Sequence, residues 1–262
     1  MLPIAMPLTA ESDILVARAA ALIRRARRGV VLTGAGMSTP SGIPDFRSPS
    51  GGLWAQHNPL EVASLTAFRH HPERFFAWVR PLLETMLRAE PNAAHRAVAA
   101  LGQAGHLAGV VTQNIDGLHQ KAGSEKVVEV HGSLETATCT QCYRTYRSAD
   151  FLPAFLENGE VPRCPHCGGV LKPDVVLFGE QLPWQAWEAA QTLARQSDVM
   201  LIAGSSLAVM PVARLPVEAA DRGASIIVIN QTPTYMDARA DVVLHGDVAD
   251  LLPAIAARVL SS

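Results

Sequence analysis

Four cysteines, the chain's full complement, stand in two Cys-x-x-Cys pairs, Cys139 with Cys142 and Cys164 with Cys167. Each pair is a turn that aims two thiolates at one point. Together they can close a tetrahedral shell around zinc, with no position left for substrate or water. A structural zinc held by these four residues is therefore expected. The 21 residues between the pairs run slightly past the usual interval for such sites. Redox chemistry or two disulfides is the alternative reading, and His166 inside the second pair offers a substitute ligand. A ribbon that reads nucleic acid would need a basic and aromatic stripe, which 133–171 does not carry.

A second set of polar residues follows short apolar runs. Val30-Val31-Leu32-Thr33 enters Gly34-Ala35-Gly36, the kind of glycine turn that lets backbone amides approach a pyrophosphate. The fingerprint of hydride-transfer enzymes wants glycine or alanine where Thr39 stands, and Pro40-Ser41-Gly42-Ile43-Pro44 opposes a regular helix. Asp45-Phe46-Arg47 then puts an acid, a ring and a cation in a loop that could fold over a nucleotide. Equally, Asp45 could cap a turn and Phe46 could simply pack. Gln113-Asn114-Ile115-Asp116, His131-Gly132, Gly204-Ser205-Ser206 and Asn230 each end another apolar run. One such residue is ordinarily a loop cap. Four sets together point to the crevice outside the carboxyl ends of a sheet, where α/β proteins bind ligands. Of nine histidines, His131 is the candidate base: it sits at a strand end, before a glycine that admits a ligand, and imidazole takes a proton near neutral pH. His57, His70, His71, His106 and His245 read as structural, and His95 and His119 as packing or loop-positioning residues.

The elements that must position these residues are legible as alternating patterns. Apolar runs at 30–33, 109–112, 127–130, 175–178, 199–203, 226–229 and 242–244 read as strands. Helical spacing at 12–28, 92–104, 184–196, 211–222 and 247–259 separates several of them. Continuous rather than alternating apolarity implies strands covered on both faces, hence a doubly wound parallel sheet. The interval 133–171 breaks the rhythm with all the cysteines and several prolines and glycines. The expected organisation is α/β: a Rossmann-like doubly wound domain over 12–132 and 172–262, with a small zinc-ribbon module inserted at 133–171.

A formal charge of −2 supplies no global field for nucleic acid or an anionic membrane, so neither is an expected partner. No apolar stretch approaches the roughly 20 residues of a membrane span, and the start lacks a basic secretory signal. A cytoplasmic protein is expected.

The stretch Gly34-Ala-Gly-Met-Ser-Thr-Pro-Ser-Gly-Ile-Pro-Asp-Phe-Arg47 closely resembles the cofactor loop of the sirtuins. Thr112-Gln-Asn-Ile-Asp-Gly-Leu-His119, His131-Gly132, both cysteine pairs, Lys172-Pro-Asp-Val-Val-Leu-Phe-Gly-Glu180, Gly204-Ser-Ser206 and Ile229-Asn230 follow in that family's order. The resemblance runs from about residue 12 to the C-terminus. It implies removal of an acyl group from lysine with consumption of NAD⁺, release of nicotinamide and formation of O-acyl-ADP-ribose. It implies that the acyl oxygen attacks the anomeric carbon of the nicotinamide ribose, after which His131 deprotonates a ribose hydroxyl that attacks the acyl carbon. Ile115 and Asp116 would hold the nicotinamide carboxamide, Gln113 and Asn114 the nicotinamide ribose and its neighbouring water, and Ser205, Ser206 and Asn230 the phosphates and adenosine ribose. Gly34, Ala35, Gly36, Thr39, Asp45, Phe46, Arg47, Gly204, His131 and Val248 complete the implied cofactor contacts, with His131 and Asn114 as the catalytic pair. Val175, Val176, Leu177, Phe178 and Gly179 would pair with the extended substrate peptide, although a plain core strand is the alternative.

Relatives that remove succinyl or malonyl groups carry a Tyr-x-x-Arg pair in the helix after the cofactor loop. Here that segment reads Phe75-Phe76-Ala77-Trp78-Val79-Arg80-Pro81-Leu82, and none of the chain's tyrosines, Tyr143, Tyr146 and Tyr235, has arginine three residues on. Acetyl-lysine in proteins or peptides is therefore the expected substrate, because a buried acyl carboxylate would lack its partner. A mono-ADP-ribosyltransferase on the same fold, a non-catalytic NAD⁺-sensing scaffold and a nicotinamide dehydrogenase are the rival readings.

Overall fold

Short, uninterrupted runs of valine, isoleucine and leucine become strands here because a sheet covered on both faces has no polar side to serve. The computed structural model describes residues 9–48 and 52–261. Among these, the strands in chain order are β1 (Gly29–Thr33), β2 (Leu107–Thr112), β3 (Val127–Glu129), β4 (Gly132–Cys139), β5 (Thr145–Arg147), β6 (Leu171–Val175), β7 (Val199–Ala203), β8 (Ser225–Asn230) and β9 (Val242–His245). They fall into two compact units. The first comprises residues up to Ser41, 90–130 and 185 onward; the second comprises 42–89 and 131–184.

In the first unit six strands form a parallel sheet in the order β3-β2-β1-β7-β8-β9. Every residue of β1 and β7 is buried. Val31, Leu201, Ala203, Ile227 and Ile229 share one core with apolar side chains of helices Ala10–Arg25, Ala93–Gln103 and Val248–Leu260. The first helix was expected over 12–28 and stops three residues sooner. Its start is capped by Thr9, whose hydroxyl accepts from Ser12 N at 3.1 Å. Its end is set by Asp198, whose carboxylate accepts from the amides of Arg27 and Arg28 at 2.7 and 3.0 Å and draws the chain into β1. Strand order reverses between β1 and β7, which makes the loops after Thr33 and Ala203 the switch point of the sheet.

The second unit carries a three-stranded antiparallel sheet in the order β5-β4-β6, together with helices Leu53–Gln56, Pro59–Val62, Leu65–His70, Pro72–Arg88 and Leu152–Asn158. It is wider than the 133–171 insert, because the helical segment 42–89 joins it. Phe76 meets Phe155 edge-on with ring centroids 5.2 Å apart, and the Arg80 guanidinium donates to the carbonyls of Leu156 and Glu157 at 2.6 and 3.1 Å.

The run 175–178 is not a strand of the parallel sheet. The strand lies earlier, at β6, with Leu171, Pro173 and Val175 buried and the residues between them half-exposed. Pro173 is tolerated because β6 is an edge strand, where a missing amide donor costs no ladder bond. Beyond it Val176 N donates to His131 O at 2.8 Å, and Phe178 pairs with the segment at Ser64.

Two glycines make opposite predictions. Gly132 has φ +80°, and a Cβ there would lie 2.0 Å from Asp174 O. Gly102 lies in helix Ala93–Gln103, and a Cβ there meets nothing within 4 Å. Thermal melts should show Gly132→Ala destabilised by about 1–3 kcal/mol or more and Gly102→Ala stabilised by about 0.5–1 kcal/mol.

Candidate active site

At the switch point two loops meet backbone to backbone. Gly34 N donates to Ala203 O at 3.3 Å and Gly36 N to Gly204 O at 2.9 Å. A Cβ on Gly34 or on Gly36 would fall 2.9 Å from Gly204 O, and one on Gly204, whose φ is +60°, would fall 2.3 Å from Met37 N. These glycines are thus required by the contact between the loops, whatever ligand approaches them. After Gly34 the chain makes two short 3₁₀ turns, Ala35–Met37 and Thr39–Ser41, instead of a helix, as Pro40 leads one to expect. Thr39 hydroxyl donates back to Gly36 O at 3.1 Å.

Side chains from the end of β2 tie these loops together. Asn114 Nδ2 donates to Gly34 O at 3.0 Å and to Ser38 Oγ at 3.1 Å. Ser38 Oγ in turn donates to Asp116 Oδ2 at 2.6 Å, while Asp116 Oδ1 accepts from Leu118 N at 2.9 Å. Gln113 Nε2 donates to Ser205 Oγ at 2.9 Å. The structure therefore gathers Gly34, Gln113, Asn114, Asp116 and Ser205 into one hydrogen-bonded group, flanked by half-buried Ile115 and exposed Ser206. Ser38, at its centre and 1% exposed, is not among the residues that the sequence marks. A hydroxyl between apolar Met37 and Thr39 gives no pattern that marks it. Asn230, at the end of β8, turns its amide onto Thr232 O at 2.8 Å. Val248 buries its side chain in the apolar core.

Behind this group lie two buried imidazoles. His119 Nε2 is 3.0 Å from Thr33 Oγ1, and the rings of His95 and His119 meet edge to face with centroids 4.9 Å apart. Burial pushes His119 down to about 3, with the neighbouring His95 adding to the effect. Burial likewise pushes His95 down to about 4, against the pull of Asp116. Both rings are neutral at pH 7.

The remaining candidates lie in the second unit. His131 is half-buried and immediately precedes the positive-φ Gly132. The Asp45 carboxylate accepts from the amides of Arg47 and Ser48 at 2.8 and 2.7 Å and from the Ser48 hydroxyl. Burial alone would raise this carboxyl, but the hydrogen bonds from Ser48 and Arg47 outweigh it and hold it below its ordinary value. The Phe46 ring stacks on Trp54 at 5.0 Å, and Trp54 stacks on Trp78 at 5.7 Å. So Asp45 caps a turn and Phe46 packs, the local alternative open to them from sequence, while Arg47 is exposed. In the 175–179 segment Val175 and Leu177 are buried, whereas Phe178 and Gly179 are exposed. Leu177 N donates to Glu180 Oε2 at 2.8 Å, and Glu180 pairs with Lys172 at 3.0 Å.

The four cysteine sulfurs lie within 4.8 Å of one another. Cys139 and Cys167 are 3.4 Å apart and Cys142 and Cys164 3.6 Å. Four thiolates about 2.3 Å from one tetrahedral ion would sit about 3.8 Å apart, so this set fits a single metal. None of the four is in a disulfide. Tyr146 adds a hydroxyl 3.2 Å from Cys164 Sγ.

The Sir2 family model matches residues 34–211. An NAD-dependent protein deacetylase 1 of Geobacillus kaustophilus is 47% identical over 84% of this chain and 88% of its own length. A solved Sir2 enzyme, from a study of the mechanism and regulation of these enzymes, superposes with TM-score 0.90 at 42% identity, over 94% of this chain and 98% of its own. A Sir2 variant bound to a deacetylated p53 peptide and 3'-O-acetyl ADP-ribose superposes with TM-score 0.85 at 38% identity, over 90% and 95%.

The buried histidines set a pH dependence of stability. In the unfolded chain they take up protons as the pH falls through about 6.5, whereas in the fold they stay neutral until about 4 and 3. Their contribution is complete above about pH 6.5 and is lost as the pH falls to about 4 for His95 and about 3 for His119. Two protons correspond to about 2.7 kcal/mol per pH unit. Urea unfolding should approach this slope as the pH falls from about 6.5 to about 5, and His119→Gln should remove about half of it.

Proposed function

The chain belongs to the Sir2 family, and from that membership we propose that it is an NAD⁺-dependent protein-lysine deacetylase. The supporting observation is the hydrogen-bonded group of Asn114, Ser38, Asp116, Gln113 and Ser205 at the carboxyl ends of β1, β2 and β7. This is where an open α/β sheet binds a nucleotide, and these residues supply amide, hydroxyl and carboxylate partners for a ribose and a carboxamide. The reaction moves an acetyl group from lysine to ADP-ribose and releases nicotinamide; the products bound to the Sir2 variant are of this kind.

In this reading Asp116 and Ile115 receive the carboxamide, Gln113 and Asn114 hold the nicotinamide ribose, and Ser205, Ser206 and Asn230 take the phosphates and adenosine ribose. Gly34, Ala35, Gly36, Thr39 and Gly204 shape the loops around them. Asp45, Phe46 and Arg47 are assigned as cofactor-loop residues by their match to the family's motif. Asp116 would exchange the Ser38 hydroxyl for an amide donor of the ligand. His131 is the general base: it accepts the proton of a ribose hydroxyl, which then attacks the acyl carbon. Val175, Val176, Leu177, Phe178 and Gly179 are the segment that an extended peptide would run beside; the amides of Val176, Leu177 and Phe178 already serve His131 O, Glu180 and Ala63 O, so a peptide would pair with the main-chain groups that remain. Such bonds give affinity with little sequence selectivity.

The four cysteines would hold one zinc ion with no open position, so its contribution is to folding and not to the chemistry. Four thiols kept reduced for a metal suit the cytoplasm. Acetyl is favoured over acidic acyl groups, because the one arginine of the 75–82 segment, Arg80, already serves the carbonyls of Leu156 and Glu157.

Mass spectrometry of an acetyl-lysine peptide incubated with the protein should show NAD⁺-dependent deacetylation and O-acetyl-ADP-ribose. His131→Ala should lower the rate at least about 100-fold, within the range of lost general-base catalysis, without unfolding the protein. NAD⁺ cleavage that leaves the peptide acetylated would turn the reading to ADP-ribosyl transfer. A succinyl peptide should be turned over far more slowly than the acetyl one.

Native mass spectrometry should find one zinc per chain, lost on chelation together with cooperative unfolding. Cys164→Ser should abolish retention of the metal.

A further inference from the structure

Of the four ring nitrogens on His95 and His119, three are buried with no hydrogen-bond partner among the described residues. The fourth, His119 Nε2, begins a chain of bonds that ends at Asn114. His119 Nε2 lies 3.0 Å from Thr33 Oγ1. Thr33 Oγ1 donates to Thr112 Oγ1 at 2.8 Å, and Thr112 Oγ1 also accepts the Asn114 backbone N–H at 3.1 Å. A hydroxyl has one proton to give. Thr33 spends it on Thr112, so it can only accept from His119, and this makes Nε2 the protonated nitrogen and Nδ1 the bare one. His119 and Thr33 are 1% and 0% exposed and Thr112 is 2% exposed, so water does not compete along the chain.

We propose that His119 is a positioning residue for the deacetylation reaction, fixing the Asn114 backbone through the hydroxyls of Thr33 and Thr112. The Asn114 amide group meets Gly34 O and Ser38 Oγ from a backbone held at that one N–H. If Thr112 Oγ1 rotated away, the strand end would lose the bond that sets the approach of the side chain. Since β1 and β2 are neighbours in register at Thr33 and Thr112, the two hydroxyls form a rung across the sheet, and His119 fixes its direction from one side. Asn114 then presents its amide at a set angle before any ligand arrives, which is the purpose of preorganisation. This inference rests on the deacetylase reading for the consequence to catalysis, though not for the geometry.

The test uses three variants and a double. Thr33→Val removes the middle hydroxyl at nearly constant volume, His119→Leu removes the donor, and His119→Gln keeps a donor near the Nε2 position. Steady-state deacetylation should show kcat lowered about tenfold, on the scale of one buried hydrogen bond, in Thr33→Val and in His119→Leu. The KM for acetyl peptide should change less than about twofold, and His119→Gln should recover most of the rate. The Thr33→Val/His119→Leu double should be no worse than either single variant, because both cut one chain. Amide hydrogen exchange at Asn114, read by NMR on the folded full-length chain, should accelerate in the two cutting variants and return toward wild type in His119→Gln. Losses that multiply in the double, or unchanged kcat and Asn114 exchange with only a lowered melting temperature, would overturn the proposal. Should the wild-type chain fail to deacetylate, the functional reading would fall, and the exchange experiment would still decide whether His119 holds Asn114.

Discussion

Everything assigned to the first unit depends on how closely the loops after β1 and β7 approach. With a Cβ on Gly204 only 2.3 Å from Met37 N, and Cβ atoms on Gly34 and Gly36 at 2.9 Å from Gly204 O, no side chain fits on either backbone. The contact joins the two strands on either side of the switch point, so the crevice there has a fixed floor. Glycine at such a place is usually read as room for a phosphate. Here the room is first taken up by protein, and ligand binding builds on a floor already closed by main-chain bonds.

Polar groups buried beside that floor are costly unless paired, and the arrangement of pairs explains the residue types. Serine at position 38 is small enough to stand between Asn114 and Asp116 and can accept from one while donating to the other. Threonine at 33 and 112 supplies the same two-way bonding inside strands, where β-branched residues also pack well. Histidine at 119 can donate from one nitrogen while remaining neutral. A lysine in its place would be driven to lose its charge by the same burial.

How much of this was legible in the sequence follows from which forces are local. The parallel strands were legible because burial on both faces leaves continuous apolar runs, and the strand-end polar residues stood out against them. The antiparallel strand Leu171–Val175 was not, since Lys172 and Asp174 do alternate with buried residues but the central buried position is Pro173, a residue that argues against a strand. The extent of the second unit was also hidden: the aromatic contact from Phe76 to Phe155 joins segments 79 residues apart, and no periodicity within either segment reports it. Ser38 and the His119 chain went unseen for a related reason, because hydrogen bonds across a sheet leave no trace in spacing. For Asp45 and Phe46 the sequence held two readings, and the local one is visible as a turn cap and a ring stack.

The small antiparallel sheet poses the opposite problem from the large parallel one. Around the cysteines the buried cluster consists of Ala137, Cys139, Cys164 and Leu171, with Cys142, Tyr146 and Phe151 packed against it. Two of the four buried members are thiols, so apolar burial alone is too little to hold β4, β5 and the Cys164–Cys167 turn together. A metal held by the four thiols would compensate by joining two turns that are distant in sequence. Tyr146 then has a reason to face Cys164, because a hydroxyl donor stabilises a thiolate and orients it. The β4 strand begins at Gly132, directly after His131, and runs at its other end into Cys139. A metal held by the four cysteines would thus brace the far end of the strand that follows the proposed base.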